Sequence, residues 1–320
     1  MLRFEIGKNE ANMRMDKLLV KLMPTLPKSL MYKYIRMKKI KLNGKRTEIS
    51  AKAQIGDVIE AYISDEFAAK VEPKYDFLSA SDKLDIVYED ENIILVDKKQ
   101  GLLVHPDKKE YRDTLIARIC HYLYKKGEYN PERDTSFTPA LANRIDRNTG
   151  GIVIAAKNAA ALKILCDKIK SRELDKRYLA VVHGSLKKKE ALLEGYLFKD
   201  EERNRVFLEN KMTEKTKTIK TKYKVLAEKN NLSLVEVELI TGRTHQIRAH
   251  FASIGHALLG DGKYGKLKED KKLGFSKQAL YSYKLTFNFT EDADILNYLN
   301  HKTFQVNSVW FAEQLFDYKL

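Results

Sequence analysis

Met15, Leu18, Leu19 and Leu22 recur at intervals of three and four, the spacing that gathers side chains on one face of a helix. Pro24 and Pro27 end the helix they predict. Ser29 is a candidate cap for a second helix, with Met31, Tyr34 and Ile35 as its apolar stripe. Asn43-Gly44 between short runs predicts a hairpin, and Gly56-Asp57 turns the chain into a strand from Val58 to Ile63. From Asp65 to about Ser81, a stretch that includes Pro73, no period holds, and the segment reads as a linker.

From Leu84 the pattern changes to strands. Leu84–Tyr88 and Ile93–Asp97 flank a polar turn, Gly151–Ala156 is a continuous apolar run, and Tyr178–Val182 is another. Thr216–Leu226 and Leu232–Ile240 surround Asn230-Asn231, with Val235, Val237 and Leu239 alternating against Glu236 and Glu238. Asn158 caps a predicted helix carrying Leu162, Leu165, Cys166 and Ile169, which places Cys166 in the core. Thr244 caps another, whose apolar face is Ile247, Phe251 and Ile254 and whose stop is Gly255. A terminal helix around Trp310 is expected to pack on the sheet. Long paired strands with few helices predict an α+β fold: a large mixed, mostly antiparallel sheet with flanking helices, plus a small N-terminal α/β module. The expected division is 1–63, a linker over 64–81, and 82–320. No internal repeat is found.

Composition sharpens this picture. A chain of 320 residues with 43% hydrophobic positions is large enough for two cores. Its net charge of +15 and pI near 9.4 favour polyanionic partners. The longest apolar run, Gly150–Ala156, is far short of the roughly 20 residues a membrane span needs. The N-terminus lacks a secretory pattern, and Cys120 and Cys166 cannot build a disulfide framework, so a soluble, cytoplasmic monomer is expected. Residues 1–63 carry fourteen Lys or Arg against six Asp or Glu. Lys33, Arg36, Lys38, Lys39, Lys45 and Arg46 cluster on the second helix, its exit and the hairpin, a pattern suited to tracking phosphates.

Three segments concentrate ionic and glycine residues. In Arg144-Ile145-Asp146-Arg147-Asn148-Thr149-Gly150-Gly151 an aspartate lies between two arginines, either a loop salt bridge or a persistent nucleophile or base, and Thr-Gly-Gly permits close backbone approach. In Gly242-Arg243-Thr244-His245-Gln246-Ile247-Arg248 a helix start bears two arginines, suited to a phosphate or carboxylate. His245, His250 and His256 lack metal-ligand spacing, so no metal is expected. In Lys176-Arg177-Tyr178-Leu179-Ala180 the tyrosine is either core packing or a π platform for a flipped base. Gly101-Leu102-Leu103-Val104-His105-Pro106 offers a wall.

These segments, in this order, resemble the RluA-type pseudouridine synthase family over most of residues 81–290. Arg144-Ile145-Asp146 with Thr149 is similar to its catalytic motif. Gly242 to Arg248, continuing to Gly255-His256, Gly260-Asp261 and Tyr264-Gly265, is similar to its most specific signature. Residues 14–59 resemble the αL RNA-binding module. Gly150 stands where serine is usual, Asn143 where many members have histidine, and Tyr281-Ser282 where His-Ala is common. The resemblance implies isomerisation of uridine in RNA without a cofactor, ribosomal RNA being favoured over transfer RNA. It implies Asp146 as nucleophile or base, Tyr178 under the uracil, Arg248 paired with Asp146, and Arg144 filling the vacated space in the RNA. Arg243, His245 and Gln246 would contact RNA. A binding-only assembly factor, which has no need of that trio, and a nucleoside glycosidase are the competing readings. The glycosidase would need two carboxylates, and no second acid accompanies Asp146 in these motifs.

Overall fold

The computed structural model describes the whole chain except residues 8, 69–74, 108–109, 135, 201, 204 and 210. Part of the expected linker, including Pro73, lies outside the described residues. The first unit runs β1 (Leu2–Glu5), α1 (Met15–Leu22), α2 (Lys28–Arg36), β2 (Ile40–Leu42), β3 (Lys45–Arg46) and β4 (Val58–Ala61), with sheet order β1-β4-β2-β3. Both helices close on this sheet through Met15, Leu18, Leu19, Met31 and Ile35, all buried with Ile40 and Ile59. Asn43 and Gly44 make the two-residue hairpin turn. Ser29 is not the cap: α2 starts two residues earlier than that reading requires, at Lys28 behind Pro27, so the serine falls in the first turn.

The second unit continues with β5 (Ile86–Glu89), β6 (Ile93–Lys98), α3 (Leu115–Lys125), β7 (Ala140–Leu141), β8 (Gly150–Ala156), α4 (Ala159–Lys170) and β9 (Leu174–His183). Then come β10 (Glu190–Asp200), β11 (Arg205–Glu209), β12 (Thr216–Lys229), β13 (Leu232–Leu239), α5 (Gln246–Ser253), α6 (Leu267–Lys272), β14 (Leu280–Phe287), β15 (Thr303–Gln305) and α7 (Trp310–Phe316). Among the described residues these strands form one sheet, ordered β11-β10-β12-β13-β9-β14-β8-β6-β5, with β15 on β14 and β7 on β8. Only β14 and β8 run parallel. The fold is therefore α+β, as its pattern predicts.

Alternation along the central strands separates two cores. Ile93, Leu95, Ile152, Ile154, Leu179 and Val181 face α4 and α7, whose Leu165 and Phe311 they bury. Ile94, Val96, Val153, Ala155, Ala180 and Val182 face α3 and α5 through Ile119, Leu123, Ile247 and Phe251. Covered on both faces, β8 has no exposed position, and hence reads as an unbroken apolar run. Asn158 caps α4 by accepting from Ala161 N. Cys166, expected in the core, is exposed, because the buried stripe of α4 runs through Ala161, Leu165 and Lys168 and leaves its neighbour outside.

Two glycines let β14 approach β8. Gly151 has φ +109°, and a Cβ there would lie 2.2 Å from Ser282 O. A Cβ on Gly150 would lie 2.3 Å from Cε2 of Tyr281, whose hydroxyl donates to Asp97 Oδ1 at 2.7 Å. No helix among the described residues is long and apolar enough to cross a membrane.

Candidate active site

The loop before β8 and the loops and helix around α5 meet on the α3/α5 side of the sheet. Asp146 sits in a turn closed by Thr149 N donating to its own carbonyl at 3.1 Å. Thr149 is buried and its hydroxyl accepts from Gln278 at 3.2 Å. The segment that opens at Gly101 meets the Asp146 loop: Gly101 N donates to Arg147 O at 2.8 Å, and Arg147 Nε returns a bond to Gly101 O at 2.9 Å. Lys98, at the end of β6, lies beneath both segments. Its ammonium donates to the carbonyls of Lys99, Leu102 and Arg147 at 2.9–3.0 Å, one acceptor for each proton. Burial pushes this amine down towards about 7, opposed by the charges of Asp146 and Asp97.

Arg248, on the first turn of α5, reaches Asp146 Oδ2 with Nη1 at 2.8 Å. Its other two donors grip Asp261 side-on, Nε to Oδ2 at 2.7 Å and Nη2 to Oδ1 at 2.8 Å. The two carboxylates are not equivalent. Asp261 is fully buried, and Oδ1 also accepts from the backbone N–H of Lys263 at 2.8 Å and of Tyr264 at 3.1 Å. Burial works against the Asp261 charge, but Arg248 and these amides outweigh it and hold its pKa below the usual carboxylate range. Asp146 keeps 26% of its side-chain surface open, and Arg248 takes one of its oxygens. A second acid therefore does accompany the site, contrary to the sequence reading. Its oxygens are engaged in orienting the guanidinium and by two amides, which leaves Asp146 as the more accessible of the two carboxylates. Burial opposes the Arg248 charge, yet Asp261 first and Asp146 second raise its pKa.

Tyr178 lies on β9 with its ring in the α3/α5 core and only 6% exposed. Burial raises its phenol to about 12; a hydrogen bond with Ser282, opposite it in register, works the other way, and the Asp146 charge adds to the rise. Its ring is a core residue whose hydroxyl end lies within electrostatic reach of Asp146. Arg144 is exposed, near enough to His105 for its charge, after burial, to lower that imidazole.

The α5 start differs from expectation. Its N-cap is His245 in the left-handed conformation, φ +53°, not Thr244, which is exposed, and Ile254 falls beyond the helix on the surface. Gln246, expected at RNA, is buried: its carbonyl accepts from Thr241 and Arg243 N, and its amide donates to Lys220 O and Thr221. Its amide braces α5 against β12, and its carbonyl holds the loop that precedes the helix. Arg243 stays exposed. His250 is also structural, its Nδ1 on Thr221 at 2.8 Å and burial pushing it to about 4. Lys33, Arg36, Lys38, Lys39, Lys45 and Arg46 are exposed in the first unit. No group of three potential ligands is arranged for a metal among the described residues.

Asp261 and Tyr264 stand in the sequence only as parts of a longer motif, and Lys98 belongs to no motif at all. The one signal for Lys98 is parity: it follows Ile94 and Val96 on the inward face of β6.

This arrangement matches known proteins. The sequence profile of the RNA pseudouridylate synthase family covers residues 92–253. An uncharacterized RNA pseudouridine synthase of Mycoplasma genitalium is 34% identical over 320 residues, spanning 97% of each chain. Ribosomal large subunit pseudouridine synthase D of Zymomonas mobilis is 34% identical over 214 residues, 64% of each. Among solved structures, human RNA pseudouridylate synthase domain containing 1 shares the fold with TM-score 0.53 and 22% identity, covering 69% of this chain and 83% of that one. The chain belongs to the RNA pseudouridylate synthase family. It is an RNA pseudouridine synthase, an isomerase that acts on RNA.

Proposed function

We propose that the substrate is a uridine in structured large-subunit ribosomal RNA and that Asp146 carries out the chemistry without a cofactor. The single observation behind this is the asymmetry of the two carboxylates on Arg248. One is sealed in; the other is aimed, part-open and beside an aromatic ring. Curated relatives named ribosomal large subunit pseudouridine synthase D support the choice of RNA.

The target nucleotide must leave its stack before ribose or base can be reached, at a cost of a few kcal/mol. Arg144, exposed two residues before Asp146, fills the vacated space in this reading. Tyr178 supports the everted uracil, a contact worth roughly 1–3 kcal/mol for base–aromatic pairs. Asp146, aimed by Arg248, acts on the ribose as nucleophile or base: the C1′–N1 bond breaks, the base turns, C1′ bonds to carbon 5, and carbon 5 then loses its proton while N1 gains one, so that the change is a net isomerisation. The crevice must exclude water during this turn. Arg243 and the six cations of residues 1–63, read as an αL-type module, grip backbone phosphates and set register. Residues 82–320 then form the catalytic domain.

Mapping pseudouridine in ribosomal and transfer RNA from cells with the protein, without it, and with only Asp146→Asn tests the proposal. Loss of the same large-subunit sites in the last two supports it. A transfer-RNA site reassigns the substrate, and retained modification with Asp146→Asn rejects the aspartate.

A further inference from the structure

Beside Asp146 a line of polar groups ends in an imidazole. Val206 N, on β11, donates to the Tyr264 hydroxyl oxygen at 2.9 Å, and that oxygen lies 3.0 Å from His245 Nδ1. A phenol has a single proton to give. With Val206 N–H occupying one acceptor site of that oxygen, the proton of Tyr264 is free to go to Nδ1, and a neutral imidazole accepting there carries its own hydrogen on Nε2. Nε2 faces Asp146 Oδ2 across 3.8 Å. That is too long for a hydrogen bond, and the same oxygen is already held by Arg248. In that tautomer the imidazole holds an unused donor beside the Asp146 carboxylate.

Two features show that this placement is built in. His245 adopts φ +53°, a conformation uncommon for a residue with a side chain, and it does so at the point where the ring turns from the helix towards Tyr264. The rings meet edge to face with centroids 5.7 Å apart. Tyr264 is itself pinned, with the guanidinium carbons of Arg205 and Arg248 5.0 and 5.3 Å from its ring centre.

We infer that His245 is held as the neutral Nε2–H tautomer and donates a hydrogen bond to an oxygen of the target nucleotide beside Asp146, with Tyr264 as the positioning residue that fixes the tautomer. The inference rests on the proposed role of Asp146. The charged groups around the ring are Asp146 and Asp261, which favour its cation, and Arg248 and Lys263, which oppose it. Burial is the largest influence and pushes the imidazole to about 4. Below that value the cation would form; from pH 5 to 8 the ring stays neutral, and it contributes no inflection to the rate profile.

The tautomer is read by nitrogen NMR of the full-length protein with labelled histidine, His245 being assigned by its loss in His245→Gln. A proton on Nε2, bare Nδ1 and no titration between pH 5.5 and 8 are expected; a proton on Nδ1, or titration near 6.5, overturns the inference. In Tyr264→Phe the ring is kept and the donor to Nδ1 removed, so a mixture of tautomers is expected, and an unchanged Nε2–H spectrum contradicts the positioning role. Turnover is measured on an unmodified large-subunit ribosomal RNA transcript. His245→Ala should lower kcat/KM about 3- to 10-fold, the range of one ordinary hydrogen bond, and His245→Gln, whose amide N–H falls near the missing Nε2–H, should recover most of it. Equal rates for His245→Ala and the parent defeat the inference. A short RNA bearing 2′-deoxyuridine at the mapped target separates the acceptors: if the partner is the ribose hydroxyl, the binding penalty of His245→Ala vanishes, and if it is a uracil carbonyl, the penalty persists. Inactive Asp146→Asn beside a fully active His245→Ala would sink this inference alone, whereas active Asp146→Asn would sink the mechanism beneath it.

Discussion

The cations of residues 1–63 and those around Asp146 are the same residue types put to opposite physical use. Lys33, Arg36, Lys38, Lys39, Lys45 and Arg46 are exposed. Each keeps its hydration, attracts phosphate over a screened distance and can be replaced at small cost to folding. Arg248 and Lys98 are buried, and each donor that reaches into the loops has a named acceptor. A solvated charge supplies affinity, whereas a desolvated and fully partnered one supplies geometry. The first kind acts additively and the second does not.

That contrast can be broken by experiment, most sharply at Asp146, the proposed reactive carboxylate. Asp146→Asn should cut turnover on the order of 10³-fold or more while the RNA dissociation constant stays within about 2-fold, as read by single-turnover kinetics and filter binding. Arg248→Met should cost about 3–5 kcal/mol of stability, because it strands Asp261 as a buried unpaired charge. Chemical denaturation reads this, and an unchanged midpoint would mean that Asp261 does not depend on its partner. Tyr178→Ala should lose roughly 1–3 kcal/mol of transition-state binding, with Tyr178→Phe much closer to the parent in kcat/KM. The smallest effect per residue belongs to the exposed cations. Changing the six to glutamine in the full chain should leave kcat and the melting temperature unmoved, and should flatten the logarithmic salt dependence of binding by about 0.7–0.9 for each phosphate no longer neutralised. A salt slope equal to the parent's would erase the distinction between the two regions.

Local pattern carried much of the fold. The period-three-and-four leucines of α1, the Asn-Gly hairpin, the Asn158 cap and the unbroken apolar run of β8 each reflect short-range physics and fall where expected. Asp146 and Arg248 were legible as a pair although 102 residues separate them, because the resemblance joined them. What escaped were contacts without local signature. Asp261 meets Arg248 across 13 residues and Tyr264 meets Val206 across 58, and neither has a periodicity to report. Lys98 runs against composition itself, since lysine is among the residues least often buried. Gln246 and Thr244 were misassigned for a related reason: a left-handed residue at His245 turns the start of α5 so that the glutamine points inward and the threonine outward.

The close packing of Gly150 beneath the Tyr281 ring couples two distant positions of the chain. A Cβ at 150 would fall against the ring, so a larger residue there requires the ring to give way, and with it the bond from its hydroxyl to Asp97. Residues 150 and 281 therefore cannot be varied as independent choices.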